Sequence, residues 1–291
     1  MSRLSSGSLT YEGVSFQFGD GTPYRLTGFQ RGVASARGDD ADRPRSDGAR
    51  FGADLKSGPS HSIAFAVLGD GPDREASVTV LAGVLERVFD AAPLRASHGA
   101  LAKLMIGDRY CYGRPRDLAP DDSGRWDGTA EYVASFVAES DRWYGQTVSR
   151  TVRFAPVFTG GLPVTAAVPF VLGGGGGEAD VAIPVAGDFA AWPVFTIRGP
   201  VKDAYVDIAG VGRLALRGEV KSGQRLVVDT RPWARSVTLH GAAFPGAVSQ
   251  VGARMSEMSL APGSHLVVFG GHGPSGTSGL AVSVEPAYAS F

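Results

Sequence analysis

The chain lacks most of the signals by which an active protein announces itself. It has one cysteine, Cys111, among 291 residues, so no intramolecular disulfide framework and no cysteine metal cluster can be written for it. Cys111 sits in the alternating stretch RYCYGRPR and reads as a small strand residue rather than a nucleophile. Four lysines, at 56, 103, 202 and 221, stand against 24 arginines, and the formal net charge is −1. No long-range field therefore draws nucleic acid or an anionic membrane to the chain, and the shortage of lysine reflects GC-rich codons more than mechanism. No apolar run approaches the ~20 residues that span a bilayer. The opening MSRLSSGSLTYEG is too polar for a signal peptide, so synthesis and first residence in a cytoplasm are expected.

Catalytic patterns are missing as well. His61, His98, His240, His265 and His272 show neither H-x-x-x-H nor H-E-x-x-H spacing. His240, His265 and Asp229 are the one set that folding would have to gather to make a metal site, and strand-end histidines are the plainer reading. GPSHS (58–62) and GPSGTSG (273–279) hold serine among glycines but not the G-x-S-x-G of a nucleophile elbow. GGGGGEAD (173–180) and GGHGPSG (270–276) lack the Lys-Ser/Thr of a phosphate loop. Asp121 and Asp122 are neighbours in a Pro/Gly loop, whereas a glycosidase needs two carboxyls converging in space. RYCYGRPR and DRWYG interleave aromatics with arginine, as a stacking groove would, but acidic residues balance them. The expectation is a protein that is not an enzyme, with no cofactor, no bound metal, no membrane span and no sequence-specific nucleic acid.

What is abundant is punctuation. The 41 glycines and 18 prolines suit many turns and short strands. Val14, Phe16 and Phe18 alternate with polar residues, as do Ile63, Phe65 and Val67, and period-two alternation marks half-buried strands. Residues 36–59 have no hydrophobic period and are dense in Asp, Arg and Gly. They read as a long charged loop or an arm lying on something else. Residues 73–92 carry the one clear helix: Val78, Leu81, Ala82, Leu85 and Val88 share a face, Asp73 and Glu75 favour its start, and Pro93 is expected to stop it. A shorter helix is expected in ASHGALAKLMI (96–106). Further strands are expected in DRYCYGRPRDLAP, GTAEYVASFVAES and GQTVSRTVRFAP, with DRWYG (141–145) as an aromatic turn. Gly173–Gly177 cannot pack as a regular element and marks a joint between domains. Beyond it strands are expected at 192–198, 204–208, 212–217, 225–228, 235–240, 265–269 and 280–284, spaced as in a β-sandwich. Trp192-Pro193 is a stiff lead-in to the first of them, Gly199-Pro200 ends that strand, and Asp229 and Thr230 are placed to tie a turn.

The order of these features resembles the distal tail protein (Dit) family of long-tailed siphophages over most of the chain. In the first half the resemblance is carried by RPRSDGARFGADLKSGPSHSIAFAVLG (43–69), the helix at 75–89, YCYGRPRD (110–117) and FVAESDRWYG (136–145), where Arg142 replaces a family proline. In the second half it is carried by WPVFTIRGP (192–200), GRLALRGEVKSGQRLVVDT (212–230), RSVTLHG (235–241) and LAPGSHLVVFGG (260–271), with His265 where the family favours Asn. The resemblance implies a mainly β (α+β) chain. Residues 1–155 would be a tail-tube-like split β-barrel with one packed helix that forms a hexameric ring. Residues 156–291 would be a galectin-like β-sandwich, with 156–190 as its Gly-rich joint. It further implies a structural virion protein at the tail tip, a homo-hexamer joining the major tail tube protein to the tail hub and leaving a channel for the tape measure protein and DNA. In such a ring the charges of the 36–59 segment, Arg37, Asp39, Asp40, Asp42, Arg43, Arg45, Asp47 and Arg50, would pair across the subunit boundary. A carbohydrate- or receptor-binding tail module is the alternative, for which Trp192, Trp233 and Tyr205 are the aromatics to inspect.

Overall fold

The computed structural model describes residues 6–153, 179–273 and 277–291. The chain divides into two compact units, Met1–Gly145 with Tyr288–Phe291, and Gln146–Ala287. It is mainly β, and none of its sheets closes.

In the first unit one antiparallel sheet runs in the order Val14–Gly19, Ser6–Tyr11, Ala102–Ile106, Arg109–Asp121, Thr129–Ala138, Ser60–Leu68, Tyr24–Gln30. Its two edge strands, Val14–Gly19 and Tyr24–Gln30, are consecutive in the chain. A four-residue link reaches little more than about 15 Å, so the sheet must curl until its edges approach, yet no ladder joins them. That is a split barrel. Alternation drives the burial: Ile63, Phe65 and Val67 are buried on one strand and Ala130, Tyr132, Ala134 and Phe136 on its neighbour.

The helix α1, Arg74–Asp90, packs into the same core through Val78, Ala82, Leu85, Val88 and Phe89. Asp73 caps it, its carboxylate accepting from the Ala76 N–H at 3.0 Å. Tyrosine hydroxyls tie sheet to helix: Tyr11 donates to Val88 O at 2.7 Å and Tyr24 to Leu81 O at 3.2 Å. Leu81 is only partly buried, so the apolar stripe is shifted toward Phe89. The helix does not end on Pro93. Ala91 adopts a left-handed conformation (φ 44°), and Pro93 lies in the first turn of a short second helix, α2, Ala92–Ala96.

The helix expected at 96–106 is not there. Gly99 (φ 71°) turns the chain, Arg114 takes the carbonyls of Ser97 and Ala100 at 2.7 Å each, and Ala102–Ile106 is a strand burying Ala102, Leu104 and Ile106. Three small or β-compatible residues at period two outweigh the helix propensity of Ala, Leu and Met. DRWYG is likewise more than a turn, since Trp143–Tyr144 is a short strand with Trp143 fully buried.

The second unit is a sandwich of two antiparallel sheets. One runs Val148–Arg153, Gly279–Val284, Pro193–Arg198, Arg225–Asp229, Ser236–Leu239, Ala242–Ala243; the other runs Ala179–Val185, Gly263–His272, Val201–Ile208, Gly212–Ala215, with Glu219–Val220 beside Val201–Ile208. Phe195, Ile197, Val228, Leu280 and Val282 from the first meet Ile183, Val206, Ile208, Val267 and Phe269 from the second. The expected strands after 192 are all found. Ala179–Val185, expected within the joint, is also a strand, pairing along its length with Gly263–Phe269. The glycine run itself lies outside the described residues. Gly199-Pro200 is a corner as well as a stop, because the strands on either side belong to different sheets. Gly270 is there for want of a side chain: a Cβ would run into the Tyr205 ring.

The turn after Arg225–Asp229 is tied as its residues suggest. Thr230 Oγ1 donates to Pro193 O at 2.6 Å and is fully buried. Asp229 Oδ1 accepts from the Arg231 N–H at 3.0 Å, and Arg231 also reaches Glu285 at 3.3 Å. Thr230→Val keeps the volume but leaves the Pro193 carbonyl without this donor. It should cost about 1–2 kcal/mol, read as a lowered midpoint in denaturant unfolding, whereas Thr230→Ser should recover most of the loss.

Candidate assembly surface

Residues 33–57 leave the body of the first unit between two body strands and return as a hairpin. Ala36–Arg37 pairs with Leu55–Lys56 and Ala41–Asp42 with Ala49–Arg50, so the segment read as a loop has ladders of its own. Its root is sewn by the Ser57 N–H to Ser35 O at 2.9 Å and by the two serine hydroxyls at 2.7 Å. Between the ladders Asp40 accepts from the Gly52 N–H at 2.9 Å. Lys56 anchors the base on Asp141 at 2.9 Å.

Arg37, Asp39, Asp40, Asp42, Arg43, Arg45, Asp47 and Arg50 are all exposed, and none of the ion pairs among the described residues uses them. The arm also exposes what the charge pattern hid: Val33 is 88%, Phe51 83% and Leu55 62% accessible. Trp126, in a short 3-10 turn at Arg125–Asp127 of the same unit, is 83% accessible. Contiguous apolar patches mark contact surfaces, whereas these are single side chains left in solvent. Sequence reading passed over them because each stands alone among polar residues, with no period to betray it.

The arm root is held by a histidine. His61 is 1% exposed, lying between the rings of Phe29 and Trp143 at centroid distances of 5.8 and 5.2 Å. Its Nδ1 accepts from the Gly32 N–H at 3.1 Å, so the neutral ring carries its proton on Nε2, which is buried with no hydrogen-bond partner among the described residues. The chain's last residues meet the same place. Phe291 packs on Phe29 and Trp143 at 5.0 Å each, and Arg31 donates to Ala289 O at 2.9 Å. Burial first, and repulsion from Arg31 second, hold the His61 pKa down at about 4. Protonating Nδ1 would remove the acceptor that holds Gly32.

The groupings weighed for chemistry are used for structure. Asp229 is held by Arg231 at 2.6 Å, and His265 Nε2 lies 2.7 Å from Ala261 O, so His240, His265 and Asp229 are not brought together. No group of three His, Cys, Asp or Glu side chains that would hold a metal occurs among the described residues. Asp121 accepts from the Ser123 N–H at 3.0 Å and Asp122 pairs with Arg125 at 2.9 Å. Cys111 is buried in its strand, and burial pushes its thiol pKa up. Tyr110 and Tyr112 pack on each other and on Tyr144 at 5.6–5.9 Å rather than lining a groove. Trp192, Trp233 and Tyr205 are half-buried, Tyr205 beneath the Arg213 guanidinium at 4.3 Å and Trp233 within 5.8 Å of that of Arg231. No described helix is long and apolar enough to cross a membrane.

The fold is thus an open, barrel-like antiparallel sheet with packed helices, followed by a β-sandwich. Solved structures that share it include the Dit protein of phage SPP1, described as a paradigm of the hub adsorption apparatus in phages infecting Gram-positive bacteria, and the baseplate of phage P2. The SPP1 protein is 11% identical, with 97% of this chain and 98% of that chain covered at a TM-score of 0.58. A chain of the P2 baseplate in its activated conformation with Ca is 8% identical, with 97% of each chain covered at a TM-score of 0.54; in the form with Sr the figures are 9%, 96%, 97% and 0.54. At such identities the fold is what is shared. No protein-family model matches the chain, and neither does any curated protein.

The unfolded histidine titrates near 6.5 and the folded one near 4. Between these values the unfolded chain binds more protons, so stability is lost as pH falls from 6.5 towards 4. Unfolding free energies measured across that range should fall more for the native chain than for His61→Gln, and limited proteolysis of the arm should accelerate over the same interval. In a second test, Phe51→Ser and Trp126→Ser should each leave the unfolding free energy of the chain within about 0.5 kcal/mol of the parent.

Proposed function

We propose that the protein is a distal tail protein of a siphophage, a structural component of the virion tail tip. The observation that carries this reading is the end-to-end likeness to SPP1 Dit, which takes in both units and leaves almost nothing of either chain over. A shared sandwich alone would be common to many unrelated functions. The particular pairing of split barrel, helix and sandwich in one order is much less so.

In this reading six copies form a ring through the first unit. The ring joins the major tail tube protein on one side to the tail hub on the other, and its opening passes the tape measure protein and DNA. The arm at 33–57 reaches the neighbouring subunit. Phe51 and Leu55 supply apolar contact there, and Arg37, Asp39, Asp40, Asp42, Arg43, Arg45, Asp47 and Arg50 fix the register through charge complementarity. A hairpin that is ordered by its own ladders is ready to dock with little further loss of entropy. A ring built this way is heterologous and closes by rotation.

The mass in solution, measured by light scattering at several concentrations, tests this. Roughly six copies is the expected outcome for the parent chain. Excision of 38–48 should give a folded monomer with an unchanged far-ultraviolet spectrum. Ring formation that survives the excision would remove the arm from the interface, and a strict monomer at every concentration and with a purified tail hub would overturn the ring itself.

A further inference from the structure

The register of the six-stranded sheet lines up positive charge. Arg153 pairs with Gly279, Gly279 with Arg198, and Arg198 with Arg225. Beyond them the His240 N–H donates to Arg225 O at 2.8 Å. The preceding row on the same strands, Val152, Leu280, Ile197 and Leu226, is buried in the sandwich core, so Arg153, Arg198, Arg225 and His240 stand on the outer face, where all four are exposed. With strands about 4.8 Å apart, Arg225 and Arg198 lie one step of roughly 5 Å apart, and Arg198 and Arg153 two steps, roughly 10 Å.

Like charges placed directly opposite in a sheet are destabilising, and Arg198 against Arg225 is such a pair. Elsewhere in this unit arginine is matched: Arg213 holds Asp207 at 2.8 Å and Arg231 holds Asp229 at 2.6 Å. Among the described residues no carboxylate forms an ion pair with Arg153, Arg198 or Arg225. A local rule broken without compensation among the described residues points to a compensating ligand.

The surface around the row has room for one. Two open depressions, of about 740 and 780 Å³, adjoin at Arg198 and Thr277. Arg225, His240 and Ser222 line the first, and Arg153 and Ser278 the second. Gly279 leaves a gap between Arg153 and Arg198. Guanidinium groups bind phosphate oxygens through paired N–H donors. The other lining groups are hydroxyls, an amide, glycine backbone and the small apolar Ala281 and Leu280, and no Phe, Tyr or Trp ring lines either depression as a platform for a base.

We propose that this face binds a linear polymer of phosphodiester-linked polyol or sugar units, its successive phosphates running along Arg225, Arg198 and Arg153. The row lies within one unit, so binding needs no assembly partner and the proposal stands or falls apart from the ring.

The full chain is titrated by calorimetry with lipid-free poly(glycerol phosphate) and with single-stranded DNA of equal charge number, each at low and moderate salt. The expected result is salt-dependent binding of poly(glycerol phosphate), weakened at least tenfold in Arg198→Thr/Arg225→Thr and unchanged in Arg25→Thr/Arg116→Thr, which removes the same two charges from exposed sites of the other unit. Without polymer, Arg198→Thr should melt no lower than the parent, because it relieves a repulsion; with polymer, only the parent should gain in melting temperature. Three results would each overturn the proposal: DNA binding as tightly as poly(glycerol phosphate), affinity indifferent to the double substitution, or an Arg198→Thr chain that melts lower than the parent, which would make the arginine a structural residue.

Discussion

Val152, Leu280, Ile197 and Leu226 lie side by side facing the sandwich core, and that one inward row dictates what the rest of their sheet can do. A strand has two faces, and slipping it by a single residue would turn its whole apolar set into water. Once this row is dry, the next row must be wet, and the positions of Arg153, Arg198 and Arg225 follow without further choice. The same constraint governs the first unit, where Phe65 and Tyr132 face each other across the Ser60–Leu68 and Thr129–Ala138 strands and are both buried. The outer surfaces are therefore written by the cores, and the features that suggest a role sit where a core leaves the chain free.

Such freedom shows most at the arm. Nearly every residue from Ser35 to Lys56 is exposed, so no core fixes its course. Hydrogen bonds do so instead, at Ser35 and Ser57, at Asp40 and Gly52, and at the buried His61 that receives the Gly32 N–H. A buried imidazole with one nitrogen employed and the other idle is an expensive fastening. It is kept neutral by Phe29 and Trp143 around it, and the chain's last residues close over the same rings.

Much of this was legible from residue order. Alternation located the strands after 192, the apolar stripe located α1, and Asp229-Thr230 announced the tied turn. What failed had a physical cause in each case. Ala102–Ile106 has helix-forming residues, but its partners, Ser6–Tyr11 and Arg109–Asp121, lie far away in the chain and cannot be seen from it. Trp143–Tyr144 looked like a turn because two residues are too few to show a period. The ladders inside the arm, two residues long each, are hidden for the same reason. The eight charged arm positions were singled out as candidates for a subunit boundary, whereas Phe51, Leu55 and Trp126 were not, since exposure of a single apolar residue leaves no trace in a pattern. The arginine row was invisible because its members come from strands up to 72 positions apart in the chain and meet only through register.

The arm has one consequence for kinetics. Arg37, Arg43, Arg45 and Arg50 are offset by Asp39, Asp40, Asp42 and Asp47, so at distances beyond the Debye length, about 8 Å in physiological salt, an approaching copy meets no net field from these groups. In the proposed ring, identical arms would then neither repel one another in solution nor hasten their encounter, and association would run at an ordinary unsteered rate that barely changes with ionic strength. The same charges, met one by one at close range, would act on how long a correctly seated pair survives: a surface blind from afar and selective on contact.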